Sequence, residues 1–161
     1  YLKDFTKVGD WFPKHPQNIT HKAKIKKYTL SIPKLGIRNA EVVLGGSDLA
    51  NTLIQYSDQI IPGEIGNIAV LGHSTLPQLY KEKDYKSIFT YLPSIERGDK
   101  VSFEVNGFIY DYIVYDIFTV EATDSWVLDE KNDKAIASII TCVPPGTYWK
   151  RLIVRAKYVG I

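Results

Sequence analysis

The chain has 161 residues, 45% of them apolar, which suits one domain with its own core rather than a scaffold that depends on disulfide staples. Eight Pro and eleven Gly argue against collagen-like or low-complexity sequence, and no run approaches the ~18 consecutive apolar residues that would span a bilayer. The net charge of +2 is unevenly spread: residues 1–34 carry eight Lys against Asp4 and Asp10, a local +6, so the remaining 127 residues carry −4. A slightly acidic body without an Arg-rich stripe speaks against nucleic-acid binding. The basic leader suits an anionic membrane or cell wall, or is simply a solvated N-terminus. Because the chain begins at Tyr1 and contains no Met, it is expected to be part of a longer protein whose signal or anchor lies upstream.

The chain reads as mostly β. After the leader (residues 1–26), residues 27–32 alternate weakly and are stopped by Pro33 and Gly36, as in a strand followed by a turn. Residues 51–56 form a short helix candidate. Residues 67–72 contain the apolar run Ile68-Ala69-Val70-Leu71, which ends in Gly72-His73-Ser74. Residues 83–91 are a second short helix candidate. Asn106-Gly107 lies between the alternating runs 100–105 and 108–119 and supplies the positive φ angles of a type I′ turn, so a β-hairpin is predicted. Strands at 135–142 and 151–157 flank Pro144-Pro145-Gly146, a combination that continues neither strand nor helix. Many short strands separated by turn signals point to an all-β barrel or sandwich with short helices in its connections. No internal repeat and no linker divides residues 27–161.

One cysteine is present. It has no partner for an internal disulfide, and the local sequence offers too few Cys or His for a structural zinc site. By strand alternation Cys142 shares a face with Ile140, Ser138 and Ile136, and it is the last residue before the Pro-Pro-Gly loop. A strand end at a barrel rim is where a side chain becomes reachable. Arg151 opens the following strand, so an antiparallel pairing brings it to the same end of the sheet as Cys142. Arg155 shares its face on a regular strand and is expected to be a surface ion-pair partner. His73 also ends a strand, whereas His15 and His21 fall in the leader without a fixed setting.

Several segments in order resemble the sortases. Ile140-Thr141-Cys142 with an Arg nine residues on, inside Arg151-Leu152-Ile153-Val154-Arg155, is similar to the Thr-Leu-x-Thr-Cys signature of that family. Leu71-Gly72-His73-Ser74 resembles its histidine segment, residues 27–36 its first core strand, and Gly98-Asp99-Lys100-Val101 the turn into its central hairpin. Ser138 and Ile139 depart from the signature's first two residues. The resemblance implies an eight-stranded β-barrel that cleaves an LPxTG-like sorting motif near the C-terminus of surface proteins through a Cys thioester. The acyl group then passes to an amine of the cell wall or of a pilin, at the extracytoplasmic face of a bacterial membrane. It implies Cys142 as nucleophile, His73 as acid/base and Arg151 as oxyanion stabiliser; no cofactor is expected, and no carboxylate cluster in the sequence supports a metal site. The family's substrate groove is lined by the connections before and after the cysteine strand, here residues 120–134 with Trp126 and Val127 and residues 143–150 with Tyr148 and Trp149. Ser74 and Thr141 join these as substrate-binding candidates.

Gly9-Asp10-Trp11-Phe12-Pro13 resembles the N-terminal lid of some pilus-building sortases, with Asp10 and Trp11 as the lid residues. The same segment also fits a hydrophobic staple to the barrel. Two other readings compete: a cysteine hydrolase on the same barrel, and a non-catalytic surface module or binding protein whose thiol is inert.

Overall fold

The computed structural model describes residues 6–12 and 25–160 of the chain. Among these described residues eight strands are formed: β1 (Lys27–Ile32), β2 (Ile37–Leu44), β3 (Leu53–Gln55), β4 (Gly66–Leu71), β5 (Lys100–Val105), β6 (Phe108–Val120), β7 (Ala135–Val143) and β8 (Lys150–Tyr158). They close into a barrel in the order β1-β2-β3-β4-β7-β8-β6-β5. The hairpin prediction holds, with Val105 opposite Phe108 and both Asn106 and Gly107 at positive φ. Among the described residues no helix is long and apolar enough to cross a membrane.

Alternation explains the inner face. Tyr28, Leu30 and Ile32 of β1 are buried while their neighbours are not. They meet Val42, Val70, Phe103, Tyr112, Ile139 and Val154 in the barrel interior. β4 is buried at every position and β7 nearly so, because both faces of this parallel pair are covered. Outside the barrel a second apolar cluster joins Ala69, Leu71, Ile140, Cys142 and Ile153 to Val127 and Leu128, and to Val8, Trp11 and Phe12 of the leader.

Two expectations need correction. Residues 53–55 are the strand β3, parallel to β2 and antiparallel to β4, and not part of a helix. Its three side chains are all buried, and a segment this short has no measurable period. Residues 83–91 form successive turns instead of an α-helix. The backbone bonds run from Ser87 to Asp84, Thr90 to Ser87 and Leu92 to Phe89. Ser87 Oγ donates to the Lys81 and Asp84 carbonyls, and Thr90 Oγ1 to the Ser87 carbonyl. Such side-chain bonds compete with the helical ladder for the same acceptors.

Candidate active site

Three strands bring the chemistry to one rim. β7 and β8 pair antiparallel with Cys142 directly opposite Arg151. β4 lies beside β7 in parallel, with Leu71 opposite Ile140, so the segment after β4 emerges at the end where β7 finishes. Gly72 N donates to the Ile140 carbonyl at 3.1 Å. Thr141 Oγ1 donates to the Gly72 carbonyl and Ser74 Oγ to the Cys142 carbonyl, both at 2.7 Å. His73 is thereby tied on both sides to the strand that carries Cys142. Gly72 is required by space: a Cβ there would lie 2.5 Å from both Leu53 Cδ2 and Phe89 Cδ2.

All three residues are buried, with exposures of 2% for Cys142, 5% for His73 and 2% for Arg151. This differs from the reachable strand end suggested by alternation, and the cause is distant in sequence. Residues 6–12 lie across the site. Val8 N donates to the Ser47 carbonyl at 3.1 Å and Leu49 N to the Thr6 carbonyl at 2.8 Å, which fixes the segment beside the β2–β3 connection. Val8, Trp11 and Phe12 are almost completely buried. The Trp11 ring meets the His73 ring edge-on at 5.9 Å, and the Arg151 guanidinium lies 5.9 Å from the ring centres of both Trp11 and Phe12. Arg151 Nε donates to the Trp11 carbonyl at 3.1 Å, and Nη1 to the Tyr148 carbonyl at 3.0 Å. It is the backbone of Trp11 that engages Arg151, since the Asp10 carboxylate forms no ion pair among the described residues. Burial pushes the Cys142 thiol up to about 11, against a smaller downward pull from Arg151. In this covered arrangement the sulfur is a neutral thiol at neutral pH.

The remaining candidates separate. Val127 is fully buried in the cluster that holds Cys142. Trp126 is half exposed and stacks on Phe118, with ring centres 5.8 Å apart and 3° between planes. Tyr148 is partly exposed, and Trp149 is 74% exposed beside the β7–β8 connection. Thr141 is fully buried, alternates with Cys142 toward the barrel interior and holds the histidine segment through its bond to the Gly72 carbonyl. Ser74 is likewise occupied by its bond to the Cys142 backbone. His15 and His21 lie outside the described residues.

Arg155 overturns its reading as a surface ion-pair partner. No carboxylate pairs with it among the described residues. Its guanidinium instead lies 5.3 Å from the Trp126 ring centre and 5.7 Å from that of Phe118. Asn67 and Ser138, its polar neighbours, were not picked out as functional from sequence. Their signal there is a polar side chain at the edge of the apolar run that became β4 and another inside the run that became β7.

A sequence model described as the sortase domain matches residues 30–159. The chain belongs to the sortase family. Sortase A of Listeria monocytogenes is 26% identical over 129 residues, covering 78% of this chain and 53% of that protein, so the chain spans about half the length of this curated relative. The solved Sortase D5 transpeptidase of Clostridium perfringens superposes with a TM-score of 0.70 at 25% identity, covering 86% of this chain and 82% of that one. Sortase A from Corynebacterium diphtheriae gives a TM-score of 0.70 at 25% identity, covering 85% and 62%. The eight-stranded barrel is therefore the sortase fold, as the signature segments implied.

Proposed function

We propose that this sortase is a cysteine transpeptidase that cleaves an LPxTG-like sorting motif in surface proteins and transfers the acyl part to an amine. The observation that supports it best is the pairing of Cys142 with Arg151 across β7 and β8, with His73 held at the same rim. A thiolate at Cys142 attacks the scissile carbonyl carbon, and Arg151 N–H groups donate charge-assisted hydrogen bonds to the oxygen as it becomes negative. Collapse expels the leaving amine, which takes a proton from His73 and leaves a thioester on Sγ. An incoming amine then attacks the thioester carbonyl and gives its proton to His73, and the sulfur leaves as the thiolate, which restores the starting pair. The amine belongs to the cell wall or to a pilin, and the domain acts at the extracytoplasmic face of a bacterial membrane. Residues 27–161 form the catalytic unit, and Trp126, Val127, Tyr148 and Trp149 flank the sorting peptide.

Within the leader, residues 6–12 act as a lid. The Arg151 N–H that would meet a substrate carbonyl is bonded to the Trp11 carbonyl, so the lid and the sorting peptide compete for one donor. Burial of Val8, Trp11 and Phe12 favours the closed form by roughly 1.5–3 kcal/mol per side chain.

The test is intact-mass measurement after incubation with LPxTG-like peptides, using the parent, Cys142→Ala and a variant lacking residues 1–12. An adduct equal to the N-terminal half of the peptide, dependent on Cys142 and larger without the lid, is the expected outcome. Transfer to an added amine separates a transpeptidase from a hydrolase. A lidless protein that forms no adduct with any peptide would favour the non-catalytic reading.

A further inference from the structure

The connection between β6 and β7 (residues 121–134) is long, and its only regular piece is a single turn of 3-10 helix at Ser125–Leu128. A loop of this length is held in place only if something anchors it. Its buried residues Val127 and Leu128 form one wall of the cluster that contains Cys142, Trp11 and Phe12. That wall is fastened from below by a closed ring of hydrogen bonds. Asn67 Nδ2 donates to the Val127 and Asp129 carbonyls, each at 3.0 Å. Asn67 Oδ1 accepts from Ser138 Oγ at 2.8 Å, Ser138 Oγ accepts from Arg155 Nε at 3.1 Å, and Arg155 Nη2 donates to the Val127 carbonyl at 3.5 Å.

The three side chains come from β4, β7 and β8, the strands that also carry the His73 segment, Cys142 and Arg151. Asn67 and Ser138 are almost completely buried. Polar groups in such a place are tolerated when every donor and acceptor is used, and a fully used ring is rigid. On the outer side Arg155 is clamped by the Trp126 and Phe118 rings, which fixes the same four-residue turn from its exposed face. Arg155 lies opposite Ser138 in register as Arg151 lies opposite Cys142. One pair of strands therefore presents one arginine to the reacting end of the site and a second, four residues on, to its wall.

We infer that Arg155, acting through Ser138 and Asn67, is a positioning residue that sets where the Val127–Leu128 wall stands and hence which sorting peptides fit. This rests on the catalytic reading above for the peptide and not for the ring. The wall packs in the cluster that contains Cys142 but supplies no group to the bond being broken, so loosening it is expected to weaken peptide binding while the chemical step at Cys142 keeps its rate.

The experiment compares the full chain with Arg155→Ala, Arg155→Lys, Ser138→Ala and Ser138→Thr, the last of which retains the hydroxyl. Hydrogen exchange of the unliganded protein reads the wall without any reliance on catalysis. Arg155→Ala and Ser138→Ala are expected to speed exchange at residues 125–129 by about tenfold, with β1 and β2 unchanged and Ser138→Thr close to the parent. With a peptide that acylates the parent, Arg155→Ala is expected to raise KM about tenfold while kcat stays within about twofold, and Arg155→Lys to recover only part. Unchanged exchange at 125–129 would overturn the inference, as would faster exchange spread over the whole barrel. A fall in kcat at constant KM would overturn the wall assignment. If no peptide acylates even the protein lacking residues 1–12, the catalytic reading fails, and the exchange result still decides whether the ring holds the wall.

Discussion

Arg151 Nε donates to the backbone carbonyl of Trp11 at 3.1 Å, across 140 residues of sequence. The acceptor is an amide carbonyl at the end of a 3-10 turn formed by Val8–Asp10, the same kind of group that a peptide substrate presents. The leader segment therefore places a peptide oxygen on the donor that the proposed mechanism reserves for the oxyanion, while the Trp11 ring meets that of His73 edge-on.

Removing that cover is expected to expose Cys142. Trp11→Ala, or deletion of residues 1–12, should accelerate alkylation of Cys142 by iodoacetamide at neutral pH by at least about tenfold, because burial of the Trp11 ring alone holds the closed form by roughly 1.5–3 kcal/mol. Mass spectrometry reads the result without ambiguity, since the chain has a single cysteine. An unchanged rate would mean that the segment is only a staple.

The pH dependence has a definite sign. Burial disfavours the thiolate and raises Cys142 to about 11, and Arg151 pulls it down. In the parent, reactivity should therefore climb through the whole range from neutral pH to about 11. Deleting the lid removes much of the burial and leaves Arg151 in place, so the midpoint should move downward, toward or below the ~8.5 of a free cysteine. Thiolate absorbance against pH, in parent and deletion, checks this. A midpoint that does not fall would mean that burial by the lid is not what raises it.

Arg151→Ala in the lidless background should slow acylation by about 10²–10³ with little change in KM, because the lost hydrogen bonds form fully only when the carbonyl oxygen is charged. Arg151→Lys should recover only a small part, as a point charge does not reproduce the guanidinium fork. Single-turnover kinetics separates these effects from peptide binding. A loss confined to KM would remove Arg151 from the oxyanion role.

That Cys142, Arg151 and His73 gather at one rim was legible in sequence because it depends on chain connectivity. Cys142 and Arg151 flank one short loop, and His73 follows an apolar run that had to be a strand. The strands β2 and β3 were less visible. Asn39 sits at positive φ inside β2, with the charged Arg38 and Glu41 interrupting the alternation, and β3 has only three residues. The burial of Cys142 was not legible from local pattern, because the cluster that buries it draws on Val127 and Leu128 of a distant loop and on Trp11 and Phe12 from far along the chain. Only resemblance to lidded sortases drew attention to them, and it pointed to Asp10 where the backbone of Trp11 makes the bond. The Asn67–Ser138–Arg155 ring was hidden for the same reason: a polar residue within an apolar strand looks like an exception until its partners are seen.

Gly72→Ala tests how closely the histidine segment is fitted. The added Cβ would lie 2.5 Å from Leu53 Cδ2 and from Phe89 Cδ2, so either those side chains or the backbone must move. Overpacking of this kind typically costs about 1–3 kcal/mol, measurable by chemical denaturation. The Phe89 backbone is itself bonded to the His73 carbonyl at 2.8 Å, so displacement of Phe89 carries His73 with it. Acylation should therefore fall along with stability. Phe89→Leu in the Gly72→Ala background makes room for the methyl group, and the double variant should be less destabilised than the sum of the two single changes, a coupling of about 0.5–3 kcal/mol. Strict additivity would show that the strain is relieved elsewhere and that Phe89 does not set the position of His73.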